Sequence, residues 1–506
     1  MKFKSVICFF FFSIALLSIT TCSNLTHIRK NSSQIDILRN DLDAFFNEPQ
    51  FANAHWGVVI QSLKNSEYIY QRNAHKNFIP ASNMKLFTTA ATLAKLGPDY
   101  TYATKFYING SIDSTGALHG DVIIRGSGDP SISGRYYDGH VTRPLEMWAD
   151  SLRSHGITRI EGQIIGDDNY FDDEIMGEGW AWDYQSDWYA AQISALSFND
   201  NCIDVLFLPG INPGDAAKYQ LVPDTDFARI TNRVATVRPG LEQDISFLRK
   251  PGTNDVVMTG AIALNSSVQK NWFSVENPTL FTITAFAKIL TDRGIALTGE
   301  CRDIDDIPDY EYLAISENLL FQVSSVPLHA IITTINKVSQ NLYAELLLRT
   351  LAAYFKECGS AKCGIDVVKE FLAEAGISPD EFLMYDGSGL SRLNMVTPMQ
   401  IVKLLKYMRK HPHGEYFYNS LPVAGVDGSL KNRLKQTAAE GNVRAKTGFV
   451  GHTRSLSGFV TTADGEELAF SMIANNFTVP TSLANLIQDQ VCERLANFSR
   501  HQKSSN

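Results

Sequence analysis

The chain is poor in cysteine, in net positive charge and in long apolar runs, and each shortage excludes something. Seven cysteines in 506 residues do not make the framework of a disulfide-stapled scaffold. Cys8 and Cys22 fall in the N-terminal leader. The other five, Cys202, Cys301, Cys358, Cys363 and Cys492, are an odd and scattered set. Cys358 and Cys363 can pair locally in an oxidising compartment or remain two thiols. No Cys or His spacing matches a metal site, and His411 and His413 read as surface histidines, so neither metal nor cofactor is expected. With 45 Lys and Arg against 54 Asp and Glu, the net charge is −9. That balance offers no basic face to a phosphate backbone, so no nucleic-acid partner is expected. Beyond residue 19 no stretch is apolar for the roughly 20 residues that a spanning helix needs.

Apolar material is present in quantity. At 44% hydrophobic and 20% charged residues the chain has ample surface to bury, which excludes a disordered protein. One core rarely grows past about 250–300 residues, so two or more folding units are expected.

The first residues read as an export signal. Lys2 and Lys4 precede an apolar run over 6–19 that is short for a spanning helix and fits the apolar region of a secretory signal. Ile19-Thr20-Thr21-Cys22 then resembles a bacterial lipoprotein signal, with Cys22 as the lipid attachment point. Thr21 departs from the usual Gly, Ala or Ser, which leaves plain cleavage as the alternative. Residues 1–22 are therefore expected to be a signal peptide and residues 23–35 a polar tether. The expected location is the bacterial periplasm, with membrane anchoring through Cys22 if the lipid is attached.

Three textures follow. Strand-like runs at 57–60 and 68–70 flank Lys64-Asn65-Ser66 as a hairpin, and a helical pattern over 82–96 stops at Gly97-Pro98. Residues 102–315 alternate short β-type runs (103–108, 118–125, 159–165, 202–208) with Gly, Asp and Pro turns. Helical patterns are few there, chiefly 144–155 and 278–293. Beyond 328, helical spacing returns at 328–337, 342–355, 364–375 and 398–410, followed by strands at 456–462 and 467–474 and a last helix at 480–497. Strands at both ends with helices between them predict one α+β domain, residues 36–101 and 316–500, split by a mostly β insertion over 102–315.

Three short motifs carry chemistry. In Ser82-Asn83-Met84-Lys85, helical spacing brings the Lys85 amine to the Ser82 hydroxyl. A serine hydroxyl is a weak nucleophile until a base takes its proton, and a lysine with a lowered pKa can do so. The helix N-terminus favours the negative charge that develops. Such a motif is cheap, with about two or three chance matches expected in this length. Ser267-Val268-Gln269-Lys270 is one, and with no helix behind it reads as surface. Ser339-Gln340-Asn341 lies between two helical stretches. Ser339 can relay a proton, and the Asn341 amide can hold Lys85 or accept a substrate amide hydrogen, unless both only cap helices. Ser197-Phe198-Asn199 and Ser316-Glu317-Asn318 repeat that spacing. Lys446-Thr447-Gly448 offers a cation and a hydroxyl for a carboxylate, and a glycine for close backbone approach.

Together and in this order the motifs match the signature of serine β-lactamases and penicillin-binding proteins. The chain resembles the D-alanyl-D-alanine carboxypeptidase/endopeptidases of the DacB type, the low-molecular-mass class C penicillin-binding proteins. Pro80–Leu86, Gly128-Asp129-Pro130, Gly179-Trp180-Ala181-Trp182, Asn201-Cys202, residues 386–392 and residues 421–430 carry the resemblance, which covers about 35–497. It implies a serine β-lactamase/transpeptidase-like domain, an antiparallel sheet flanked by helices, with two accessory domains inserted and one nested in the other. It also implies an acyl-enzyme on Ser82, with Lys85 and Ser339 catalytic. Asn341, Lys446, Thr447 and Gly448 would bind substrate, and the Ser82 and Phe449 backbone N–H groups would hold the oxyanion. The expected partners are peptidoglycan stem peptides, with β-lactams as covalent inhibitors. Phe449 is a departure, because the family usually has Ser or Thr there. Trp180 and Trp182 read as packing aromatics, and Asp386 with its glycines as a tight turn. The rival functions are a β-lactamase, for which no deacylating Glu motif is evident, and a non-catalytic peptidoglycan-binding scaffold, which the intact motifs argue against.

Overall fold

The structure, a computed structural model, describes residues 33–310, 312 and 318–501. The expected signal peptide, Cys22, most of the tether, and Ser316-Glu317 lie outside the described residues.

A five-stranded sheet joins the two ends of the chain, in the order Arg444–Val450, Thr453–Thr461, Glu467–Asn475, His55–Ser62, Tyr68–Arg72. All neighbours are antiparallel. The early strand pairs with the late one from His55 opposite Asn475 to Ser62 opposite Leu468. Side chains alternate across a strand, and here both faces are covered. Val58, Ile60, Leu456 and Phe470 pack with the helices Gln34–Phe46 and Thr481–Ala496. Val59, Phe459 and Ile473 face the other way, onto the helices Met84–Leu96, Leu328–Val338, Asn341–Lys356 and Pro398–Lys410. Fully burying one such side chain is worth about 1.5–3 kcal/mol. The hairpin and the helical spans follow the expected periodicities.

Two elements of this unit differ from expectation. The helix Gln34–Phe46 starts inside the stretch read as tether. Ser33 and Asp36 form its capping box, and Leu38, Leu42 and Phe46 are buried one turn apart, so this segment is anchored to the sheet. The short helix Gly414–Ser420 has too few turns for its period to register.

The intervening residues build a seven-stranded sheet that includes Ala103–Ile112, Ala117–Arg125 and Leu319–Ser324. Residues 159–165 form two strands, Arg159–Ile160 and Ile164–Asp167, with Gly162 between them. A Cβ on Gly162 would lie 2.3 Å from the Gly120 carbonyl oxygen. Leu319–Ser324 pairs with Ala103–Ile112, Ser324 opposite Ala103. The return to the first unit therefore comes after Ser324, not at 316, because this strand closes the inserted sheet before the chain crosses back. The helices Arg143–Ser154 and Pro278–Asp292 pack on this layer, and two three-stranded sheets lie within 202–274 of the chain. These parts share a second core around Phe106, Trp148, Phe207 and Phe281. Cys358 and Cys363 are disulfide-bonded, and Cys202, Cys301 and Cys492 are free thiols. Among the described residues no helix is long and apolar enough to cross a membrane.

Candidate active site

Ser82 stands on a single 3₁₀ turn, Ala81–Asn83, that runs directly into the helix Met84–Leu96. The nucleophile segment is thus a tight turn followed by a helix, where one continuous helix was expected. The turn is held from the sheet. Ser455 donates to the Pro80 carbonyl at 2.7 Å and Asn83 Nδ2 to the Lys446 carbonyl at 2.9 Å. Ala81 has φ +49, a strained backbone of the kind found beside functional groups.

Lys85 is fully buried. Its Nζ lies 2.9 Å from Ser82 Oγ, 2.6 Å from Asn341 Oδ1 and 2.6 Å from the Ser388 carbonyl oxygen. Two of these are carbonyl oxygens, which only accept. A neutral amine gives them its two N–H bonds and turns its lone pair to Ser82. Burial lowers the Lys85 pKa to about 7, against the opposing pull of Asp386 and Glu345. The neutral form is therefore accessible near pH 7.

The loop that supplies the Ser388 carbonyl is pinned at both ends. Glu345, fully buried one helical turn beyond Asn341, accepts the N–H groups of Gly387 at 3.0 Å and Ser388 at 2.8 Å. Asp386 accepts from the backbone N–H groups of Gly389 and Ser391, from Asn394 Nδ2 and from Trp180 Nε1. Asp386 does build a tight turn. Trp180 packs and adds a hydrogen bond, but Trp182 is 81% exposed. It sits on a surface turn, Trp182–Tyr184, that buries none of its residues, so the expectation that Trp182 packs is corrected.

Ser339 is at the break between the helices Leu328–Val338 and Asn341–Lys356, in the left-handed region at φ 64. Its Oγ accepts from Lys446 Nζ at 2.8 Å. Asn341 opens the second helix. Its Oδ1 goes to Lys85 and its Nδ2 donates to the Tyr189 carbonyl at 2.7 Å. Gln340, not Ser339 or Asn341, caps that helix through Leu342 N.

Lys446, Thr447 and Gly448 lie on Arg444–Val450, the edge strand. Lys446 is nonetheless fully buried. Desolvation first, then the nearby Lys85 and Arg454, hold its pKa well below the usual lysine range. Thr447 Oγ1 donates to Ser429 Oγ at 2.7 Å. A Cβ on Gly448 would sit 2.1 Å from Ser455 Oγ and 3.1 Å from the Ser82 nitrogen, so glycine is required for strand and nucleophile turn to meet. Phe449 is 55% exposed, with the Arg454 guanidinium 5.2 Å from its ring centre.

Ser82, Ser339, Asn341, Thr447, Gly448 and Phe449 line one cavity of about 340 Å³, walled by Tyr184, Trp188 and Tyr189 from the insertion. The structure thus brings all the expected site residues together. Sequence reasoning missed Glu345, Ser388, Ser429 and the aromatic wall. Of these, only Glu345 had a local signal, its i+4 spacing from Asn341. In the insertion, the carboxylates of Asp168, Asp303 and Asp305 lie within 4.8 Å of one another. Thr279 and Ser194 already donate to Asp168, and Asn277 to Asp303.

The family model described as the D-Ala-D-Ala carboxypeptidase 3 (S13) family matches residues 38–498. The chain belongs to that family. It is 31% identical over 484 residues to a D-alanyl-D-alanine carboxypeptidase of Actinomadura sp. (strain R39), covering 93% of this chain and 87% of that one. It is 27% identical to the D-alanyl-D-alanine carboxypeptidase DacB of Haemophilus influenzae, covering 86% and 91%. The crystal structure of penicillin binding protein 4 (dacB) from Haemophilus influenzae superimposes with a TM-score of 0.78 at 24% identity, covering 90% of this chain and all of that one. A β-lactam complex of that protein gives 0.70 at 25% identity, covering 90% and 98%. The resemblance read from the motifs and the α+β transpeptidase-like fold both hold. The chain is an S13 enzyme, a serine-type D-Ala-D-Ala carboxypeptidase of peptidoglycan.

Proposed function

We propose that Ser82 is the acylated nucleophile of this carboxypeptidase and Lys85 its general base. The observation that carries the reading is the Lys85 amine, buried and offered two carbonyl acceptors, with its third contact on Ser82 Oγ. Neutral Lys85 takes the Ser82 proton as Oγ attacks the carbonyl of the penultimate D-Ala of a stem peptide. The backbone N–H groups of Ser82 and Phe449 receive the oxyanion. Ser339, bonded to Lys446, passes a proton to the leaving amine. Lys446 and Thr447 hold the terminal carboxylate, with Ser429 behind Thr447. Asn341 keeps Lys85 aimed. Water then hydrolyses the ester and releases the shortened peptide. A β-lactam enters the same path, and its acyl group stays on Ser82.

Residues 36–101 and those after Ser324 form the catalytic unit in this reading, and the insertion supplies the aromatic wall. The protein acts outside the cytoplasm. The leader motif and the Cys358–Cys363 disulfide support that, since such bonds persist in oxidising compartments. The test is labelled penicillin with purified wild-type protein and Ser82→Ala. Label on the wild type alone, with D-Ala released from a pentapeptide, is expected. Equal labelling of both proteins would sink the assignment.

A further inference from the structure

Two chance lookalikes, Ser197-Phe198-Asn199 and Ser267-Val268-Gln269-Lys270, meet at one place. Asn199 and Lys270 line a second cavity, of about 240 Å³, on the insertion. It shares Trp188 with the catalytic cavity and reaches Gln340, the residue between Ser339 and Asn341.

Its walls are two indoles and two ion pairs. Trp188 and Trp272 meet edge to face, with centroids 6.2 Å apart at 72°. Arg135 Nε pairs with Asp200 at 2.6 Å and Lys270 with Asp204 at 2.7 Å. Asp200 is carried on the turn Asn199-Asp200-Asn201, where φ is +48, +58 and +55. Asn and Asp tolerate this backbone better than other side chains. Asn199 Nδ2 fixes the turn on the Cys202 carbonyl at 2.9 Å, and Asn201 Nδ2 on the Gln192 carbonyl at 2.8 Å. Asp200 also accepts from Tyr343 at 2.6 Å and from Gln340 Nε2 at 3.1 Å. The polar wall is thus preorganised and tied to the Ser339 loop.

We propose that this cavity is a sugar subsite, which seats an N-acetylated hexose of the glycan that bears the stem peptide. The inference rests on the carboxypeptidase reading above. Every charge in the wall is already paired inside the protein. A charged ligand would have to break a pair, whereas an uncharged polyol shares the remaining lone pairs and N–H bonds. The indole corner offers flat apolar faces to the C–H side of a pyranose ring. The volume suits one ring, not an extended peptide, and the shared Trp188 places that ring beside the bond to be cut.

The test compares D-Ala release from a free stem pentapeptide and from the same pentapeptide carrying its N-acetylglucosaminyl-N-acetylmuramyl disaccharide. The wild type is expected to favour the disaccharide form about tenfold in kcat/KM. Trp272→Ala is expected to erase that preference and leave the free-peptide value unchanged. Trp272→Leu keeps apolar bulk against Trp188 without the ring face and should give the same result. A GlcNAc disaccharide alone should quench tryptophan fluorescence in the wild type and not in either variant. Equal kcat/KM on both substrates in the wild type, a preference that survives both variants, or a loss on the free peptide as large as on the muropeptide would each overturn the proposal. Release from neither substrate would instead strike the carboxypeptidase reading itself.

Discussion

The backbone carbonyl of Ser388 accepts a hydrogen bond from Lys85 Nζ at 2.6 Å, across 303 residues of chain. A carbonyl cannot donate, so this contact takes an N–H from the amine. With Asn341 Oδ1 taking the other, the lone pair has one direction left. The base is aimed by two acceptors, one a side chain and one a loop backbone held by Glu345.

The acylation rate should follow Lys85 deprotonation. Its pKa is lowered to about 7, so penicillin acylation is expected to rise with pH and to be half-maximal near that value. Glu345 raises the Lys85 pKa. Glu345→Gln should therefore move the acid limb to lower pH, and a limb displaced upward would contradict the assignment. The same change sets an amide N–H against the Gly387 or Ser388 N–H, so urea unfolding should show a loss of about 1–3 kcal/mol.

Ser82→Ala should lower D-Ala release by on the order of 10⁶-fold, as for a lost serine nucleophile elsewhere. Ser82 is half-buried on a turn held mainly by its neighbours, so Tm should hardly change. A large fall in Tm would mean that activity was lost by unfolding.

Burial first, then the nearby Lys85 and Arg454, holds the Lys446 pKa well below the usual lysine range. An arriving carboxylate raises it again. Binding of an acyl-D-Ala-D-Ala ligand below the usual lysine range of pH should therefore take up a proton. Calorimetry in buffers of different ionisation heat would detect this, and Lys446→Met should abolish it. Binding without proton uptake would mean that the carboxylate is held elsewhere.

Phe449→Ser restores a hydroxyl to the edge strand. One added hydrogen bond of about 1 kcal/mol should lower KM for carboxylate-bearing peptides about fivefold. The side chain is more than half exposed, so stability should move by less than about 0.5 kcal/mol. An unchanged KM would show that Ser429 and Thr447 already satisfy the carboxylate.

Much of this architecture was legible because its signals are local. Ser82 and Lys85 are three residues apart, and Lys446-Thr447-Gly448 are adjacent. The spacings of Leu346, Leu347 and Leu351, or of Ile401, Leu404, Leu405 and Met408, mark helices without help from the fold. The helix Gln34–Phe46 was hidden because only Leu38, Leu42 and Phe46 are buried in a mainly polar stretch, although the Ser33–Asp36 box was there to be read. The Ser388 carbonyl carries no residue signature, since any amino acid has one. Its role exists only once Glu345 has drawn the loop onto the helix. Trp182 looked like its neighbour Trp180, but only Trp180 has Asp386 to meet.

The pairing of His55–Ser62 with Glu467–Asn475 also sets an order of events. The nucleophile is made early in synthesis, and the strand bearing Lys446 arrives 363 residues after Asn83, which must bind it. Contacts of such sequence separation form late and slowly. A chain cut short before residue 444 keeps the core of the insertion yet lacks three of the five strands of the catalytic sheet. Such a fragment keeps only the hairpin of His55–Ser62 and Tyr68–Arg72 from that sheet, and its Ser82 turn has neither Lys446 nor Ser455 to hold it. The site is therefore assembled from both ends of the chain, and Lys446, Thr447 and Gly448 join Ser82 and Lys85 only when the last strands are in place.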